Sequence, residues 1–156
     1  MTIELEHLLG GEALGGSLER LRDVTQPQRS LVGWATVELD RAEVEVARAL
    51  GSGPTTVAVA PPDRALGAAC RIVRVADGRE VVLLEPSTEG RLAAALARHG
   101  EGSLATYLVV GGGAVERARS AGFTLGSECD GPCGRQRLVH SGPRQGPFLI
   151  LAGLGD

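Results

Sequence analysis

Glu85, Glu38 and His140 each close an apolar run, in "VVLLE", "WATVE" and "RLVH". A carboxylate placed there loses hydration when its strand packs, and desolvation raises its pKa toward the range where it can exchange protons at neutral pH. An imidazole already works in that range. The simpler expectation for such a glutamate is a solvated strand end, or a partner for one of the arginines Arg71, Arg74 and Arg137, which lie in similar runs. Arg74 could instead hold an anion through its guanidinium. Cys129 and Cys133 in "CDGPC" form neither a C-x-x-C redox pair nor half of a zinc site with a second ligand pair. A plain turn around Asp130, Gly131 and Pro132 is expected there, and Cys70 is expected in the core. "VVGGGAVERA" sets glycines between a strand and a helix, but Glu116 stands where the dinucleotide pattern needs glycine, and no Gly-Lys-Ser/Thr follows. No cofactor is expected.

The elements that must position these groups repeat. "GWATVELDRAEVEVARALG" from Gly33 aligns without a gap to "LATYLVVGGGAVERARSAG" from Leu104, with Val44, Glu45, Ala47, Arg48 and Gly51 recurring as Val115, Glu116, Ala118, Arg119 and Gly122. Each copy reads as a strand entering a helix; in the first, Asp40 with Glu43 has capping-box spacing and Gly51 supplies the left-handed stop. "RIVRVADGREVVLLE" from Arg71 aligns in turn to "RLVHSGPRQGPFLIL" from Arg137, which sets Arg74 against His140, Leu83 against Leu149 and Glu85 against Leu151. Between these blocks "TTVAVA" (55 to 60) and "FTLGSE" (123 to 128) read as strands. The fold class is therefore α+β, with two fused βαβββ modules at about 33 to 86 and 104 to 153. "STEGRLAAALARHGEG" joins them as a linker helix, with Ser87 or Thr88 as cap and Gly100 as stop. Residues 1 to 30 stand outside the repeat as an N-terminal extension, expected to be helical from Leu14, Leu18 and Leu21 and able to pack across a dimer; residues 31 to 156 make the single domain.

A chain of 156 residues buries roughly two-thirds of its unfolded surface and needs no disulfide or metal to fold. Its net charge of -3 argues against nucleic acid and against a polybasic membrane contact. No apolar run is long enough to span a bilayer, and the N-terminus lacks signal-peptide features, so a cytoplasmic protein with free thiols is expected. Every basic residue but the three histidines is arginine, and lysine and asparagine are absent, which is the bias of GC-rich bacterial coding.

This paired module resembles the vicinal oxygen chelate superfamily, which includes glyoxalase I, extradiol dioxygenases and the bleomycin-resistance proteins. The resemblance covers about residues 31 to 153 and includes "LLEPSTEGRLAAALARHGEG", similar to the mid-chain segment of glyoxalase-like members. It implies that the two modules form a curled mixed sheet around one pocket, and that a divalent metal is held from the first and last strands of each module. Strand alternation then puts Trp34, Thr36 and Glu38 toward the cavity, with Ala35, Val37 and Leu39 toward the helix, and by the repeat puts Ala105, Tyr107 and Val109 on the cavity face. The ligand positions fall on Trp34, Ala105, Leu83 or Glu85, and Leu149 or Leu151, of which Glu85 alone can coordinate; shifting by one residue, to Gly33, Thr106, Leu84 and Ile150, does no better. No metal is expected. The pocket that remains is lined by Trp34, Thr36, Arg74, Leu83, Tyr107, Leu149 and Leu151 and suits an apolar or aromatic small molecule, bound or sequestered. The alternatives are a metal-independent isomerase, cyclase or lyase using Glu85, Glu38 and His140, or a protein-interaction scaffold. A homodimer is expected.

Overall fold

The computed structural model describes residues 15–51, 55–87, 89–140 and 146–154. Helix α1 (Gly15–Thr25) leads into strand β1 (Arg29–Ala35), helix α2 (Leu39–Ala49) and strands β2 (Thr55–Asp63), β3 (Ala68–Val75) and β4 (Glu80–Pro86). Helix α3 (Arg91–His99) then connects to strand β5 (Gly102–Val109), helix α4 (Ala114–Ser120) and strands β6 (Cys129–Gly131), β7 (Gly134–Val139) and β8 (Phe148–Ala152). The α+β class expected from the sequence is present. Among the described residues, no helix is long and apolar enough to cross a membrane.

The eight strands make one mixed sheet in the order β2-β3-β4-β1-β5-β8-β7-β6. β1 runs parallel to β4, β5 runs parallel to β8, and the two central strands β1 and β5 are antiparallel. The sheet curls until its two ends meet, where the Arg64 N–H, just beyond β2, donates to the Asp130 carbonyl of β6 at 3.0 Å. The result is nearly a barrel.

Helix packing decides which face of each strand looks inward. On α2, Leu39, Ala42 and Val46 are buried at helical spacing and pack with Trp34, Val73, Val81 and Leu83 on the outer face of the sheet. α1 and α4 cover the other half, where Leu18, Leu21, Ala114 and Ala118 meet Leu108, Leu149 and Leu151. The inner face belongs to Leu31, Ala35, Val82, Leu84, Tyr107 and Ile150, with Leu92 and Ala95 of α3 among them. Gly33 sits at the centre of that face, where a Cβ would lie 2.8 Å from the Ala105 Cβ and 2.9 Å from Leu84 Cδ1. Any larger residue would wedge β1 from β5.

Several local details depart from the sequence expectations. β1 begins at Arg29 and ends at Ala35, so Val37 and Leu39 lie beyond the strand and Leu39 opens α2. Asp40 is not the cap: Glu38 holds the N-cap position, and Asp40 instead receives Arg71 at 2.7 Å. α3 starts after Gly90, and Ser87 spends its hydroxyl on the Gly67 carbonyl; Thr88 lies outside the described residues. The segment 123 to 128 contributes only a single bridge, Leu125 to Val139, and the strand forms later, at Cys129–Gly131, so "CDGPC" is a strand plus the turn of a hairpin. Gly51 and Gly100 do end their helices with positive φ, at 108° and 78°. Leu18 and Leu21 of the extension are buried against their own chain, with Ala114 and Ala118, while Leu14 lies outside the described residues.

Candidate functional site

One polar cluster is buried on the inner face. Asp63 at the end of β2, Tyr107 on β5 and Gln136 on β7 are 1%, 0% and 0% exposed. The Tyr107 hydroxyl donates to Asp63 Oδ2 at 2.6 Å, the Gln136 amide N–H donates to Oδ1 at 2.9 Å, and the Leu66 backbone N–H donates to the same oxygen at 2.8 Å. Burial raises the Asp63 carboxyl above its ordinary range, against the pull of these hydrogen bonds. Burial, reinforced by the Asp63 charge, also pushes the Tyr107 phenol well upward, so it stays protonated and acts as a donor. The Gln136 Oε1 is buried without a partner. It lies over Gly131, where a Cβ would be only 1.9 Å from it, so the amide can occupy this place only beside glycine.

The nearby thiols are held in the protonated form. Burial raises Cys70 to about 12 and Cys133 to about 11, and raises Cys129 as well. A thiol is a poor nucleophile in that state, so the cluster offers hydrogen-bonding and acid–base groups, not thiolate chemistry.

The residues singled out from the sequence are dispersed around this cluster. Tyr107 belongs to it. Trp34 and Leu83 stand side by side on the outer face beneath α2, and Leu149 and Leu151 lie beneath α4. Their expected inward placement is therefore reversed. For Trp34 a one-residue slip separates it from Tyr107: the ungapped alignment set Trp34 against Ala105, but in the sheet Trp34 neighbours Leu83, and it is Thr106 that neighbours Leu149. With a side-chain period of two, one residue exchanges the faces. A register shift between β1 and β5 at Gly33/Trp34 absorbs the difference.

Glu85 follows Leu83 to the outer side, where its Oε2 accepts the Leu39 N–H at 3.0 Å and caps α2 from outside the helix. Thr36 is buried and donates to Glu101 Oε2 at 2.6 Å, and the same carboxylate receives Arg41 at 2.6 Å and the Val37 N–H at 2.8 Å. Desolvation opposes its ionisation, but the hydrogen bonds from Arg41, Thr36 and Val37 prevail and hold Glu101 down at about 2. Glu38 is exposed beside Arg41. Arg74 pairs with Glu80 at 2.7 Å, and Arg29 shares that carboxylate. His140 is exposed at the end of β7, its ring against Gly126. Arg137 borders a surface recess of about 290 Å³ beside Gly111, Gly113, Arg119 and Glu128. Glu85, Glu38 and His140 thus do not converge on one point.

Asp63 and Gln136 went unrecognised in the sequence. The signal for Gln136 is its place in "RQRL", where an uncharged amide alternates with two arginines and shares a face with Leu138. For Asp63 it is a lone acid closing the uncharged "TTVAVAPP".

The superfamily's metal would need donors on the inner faces of β1, β4, β5 and β8. Those faces carry Leu31, Gly33, Val82, Leu84, Ala105 and Ile150 beside Tyr107, whose hydroxyl is committed to Asp63. Among the described residues, no group of three or more His, Cys, Asp or Glu side chains is placed to hold a metal. A divalent ion does not fit this donor set.

No family model matches the sequence, and no curated protein matches it. The fold is shared with the crystal structure of a hypothetical protein from Bacillus halodurans C-125, with a TM-score of 0.61 and 15% identity over 80% of this chain and 94% of that one. A hypothetical protein from Methanosarcina mazei is also similar, at a TM-score of 0.48 and 13% identity over 81% of this chain and 91% of that one.

Proposed function

We propose that this chain is a metal-independent small-molecule-binding protein built from two fused βαβββ modules and similar to the vicinal oxygen chelate superfamily. In support of the duplication, the parallel pair β1/β4 encloses α2, β2 and β3 in sequence, and β5/β8 encloses α4, β6 and β7 in the same way. The observation that carries the binding reading is the Gln136 Oε1, an unpaired acceptor beside Asp63 and Tyr107 in an otherwise apolar interior. A buried acceptor without a donor costs about 1–3 kcal/mol, which a ligand donor would recover. The ligand that suits it is apolar or aromatic with one N–H or O–H group. Three free thiols fit a reducing cytoplasm as its location.

A second reading, metal-independent acid–base catalysis, now falls on Asp63 with Tyr107 and not on Glu85, Glu38 or His140. Its basis is the raised carboxyl in contact with a phenol.

Native mass spectrometry of protein purified from its own host, before and after incubation with zinc, manganese, iron and nickel salts, tests the proposal. A co-purified organic mass without stoichiometric metal, lost in Gln136→Met, is the expected result. Stoichiometric metal, or a bare protein whose melting temperature no library of aromatic metabolites shifts, would sink it.

A further inference from the structure

The sheet has an unguarded edge. β2 is a terminal strand, and among the described residues the backbone of 55 to 60 is hydrogen-bonded to β3 alone. Edge strands that stay monomeric are protected by charge, proline, bulges or a covering segment. Among the described residues none of these protects Thr55 to Ala60: the stretch is "TTVAVA", with Val59 86% exposed and Val57 38% exposed, and the prolines come only at 61 and 62. Val57 stands opposite the buried Val73, and Val59 opposite Arg71, which reaches Asp40 and Glu43 of α2; both valines therefore project on the helix-bearing face.

We propose that β2 pairs antiparallel with β2 of a second copy of this chain, about a two-fold axis through Ala58, to give a homodimer with one continuous sheet. The exposed N–H and C=O groups call for a strand, and the chemistry of the stretch makes its own copy the fitting one. With Ala58 opposite Ala58 of the second copy, Val57 meets Val59 twice and Thr56 meets Ala60 twice. No charge faces a like charge, and both prolines fall outside the five paired positions. Centring on Val57 instead would leave a single valine pair, Val57 with its own copy, and would set Thr55 against Val59 twice. The contact is isologous and consumes the edge on both chains, so assembly stops at two.

Sedimentation or light scattering should give twice the chain mass of 16.1 kDa. Val59→Lys, at a position exposed enough to leave the monomer folded, should raise the dimer dissociation constant about tenfold or more. Val37→Lys, at a valine 64% exposed elsewhere, should leave it unchanged. The axis is read by cross-linking. Ala58→Cys should form an intermolecular disulfide on mild oxidation, with wild type as the blank for the native thiols. Thr56→Cys should not, because its two copies would sit four positions apart, roughly 13 Å, beyond the ~7 Å limit for a disulfide. A monomeric wild type, higher oligomers, a dimer indifferent to Val59→Lys, or equal cross-linking at 56 and 58 would overturn the proposal.

Discussion

Among the hydrogen bonds that Asp63 accepts from Tyr107, Gln136 and Leu66, the one from Tyr107 is the shortest. Tyr107→Phe takes that hydroxyl away from the buried Oδ2 while the ring still fills its place. It should cost about 1–3 kcal/mol in urea unfolding with little change in m; a loss below the error of the fit would mean that water replaces the hydroxyl. At Gly131 even alanine must displace the Gln136 amide, so Gly131→Ala should destabilise by a similar route. Of this cluster the sequence signalled only Tyr107. Nothing local in "PPDR" or "RQRL" indicates that two such segments, far apart in the chain, meet so that the Asp63 carboxylate accepts from both Gln136 and Tyr107.

The helices were the most legible elements, and their starts the least. The apolar spacing in α2 and α3 and the glycines that stop them follow from local rules, since a left-handed terminus favours glycine wherever the helix lies. The start of α2 does not: its N–H is satisfied by Glu85, a residue of β4. Glu85→Ala should therefore weaken the fold by about 0.5–2 kcal/mol, the usual worth of a cap, with no loss of ligand affinity. Chemical denaturation set beside a binding isotherm would separate this from a pocket role, in which affinity would fall while stability held. Trp34→Ala, beneath the same helix, should cost about 3–5 kcal/mol for the same structural reason.

Across the whole molecule, Glu101 joins the two halves, since it precedes β5 and binds Thr36, Val37 and Arg41 from the β1–α2 region. Its carboxyl is lowered from 4.5 to about 2, so the stabilisation it provides is complete above its ordinary pKa and disappears as pH falls through the folded value. Glu101→Gln should be less stable than wild type at neutral pH, and the gap should close between about pH 4.5 and 2. A gap that persists to pH 2 in acid titrations followed by circular dichroism would mean that the carboxylate's charge is not what matters. Asp63 has the opposite sign: with its folded pKa raised from 3.8, its contribution is present below that value and lost as pH rises through the folded pKa.

By itself the sequence determined the order of strands and helices, the glycine stops of α2 and α3, and the α+β class. Those properties depend on composition and on periodicity within single elements. Which face turns inward was decided only by tertiary structure, and the reason is physical. β1, β4, β5 and β8 are covered by helices on one side and by the closed interior on the other, so runs such as "VVLL" and "FLILA" are apolar on both faces. A strand buried on both sides carries no alternation to read. The helices and the curl of the sheet supplied the missing sign, and with it brought Asp63, Tyr107 and Gln136 together.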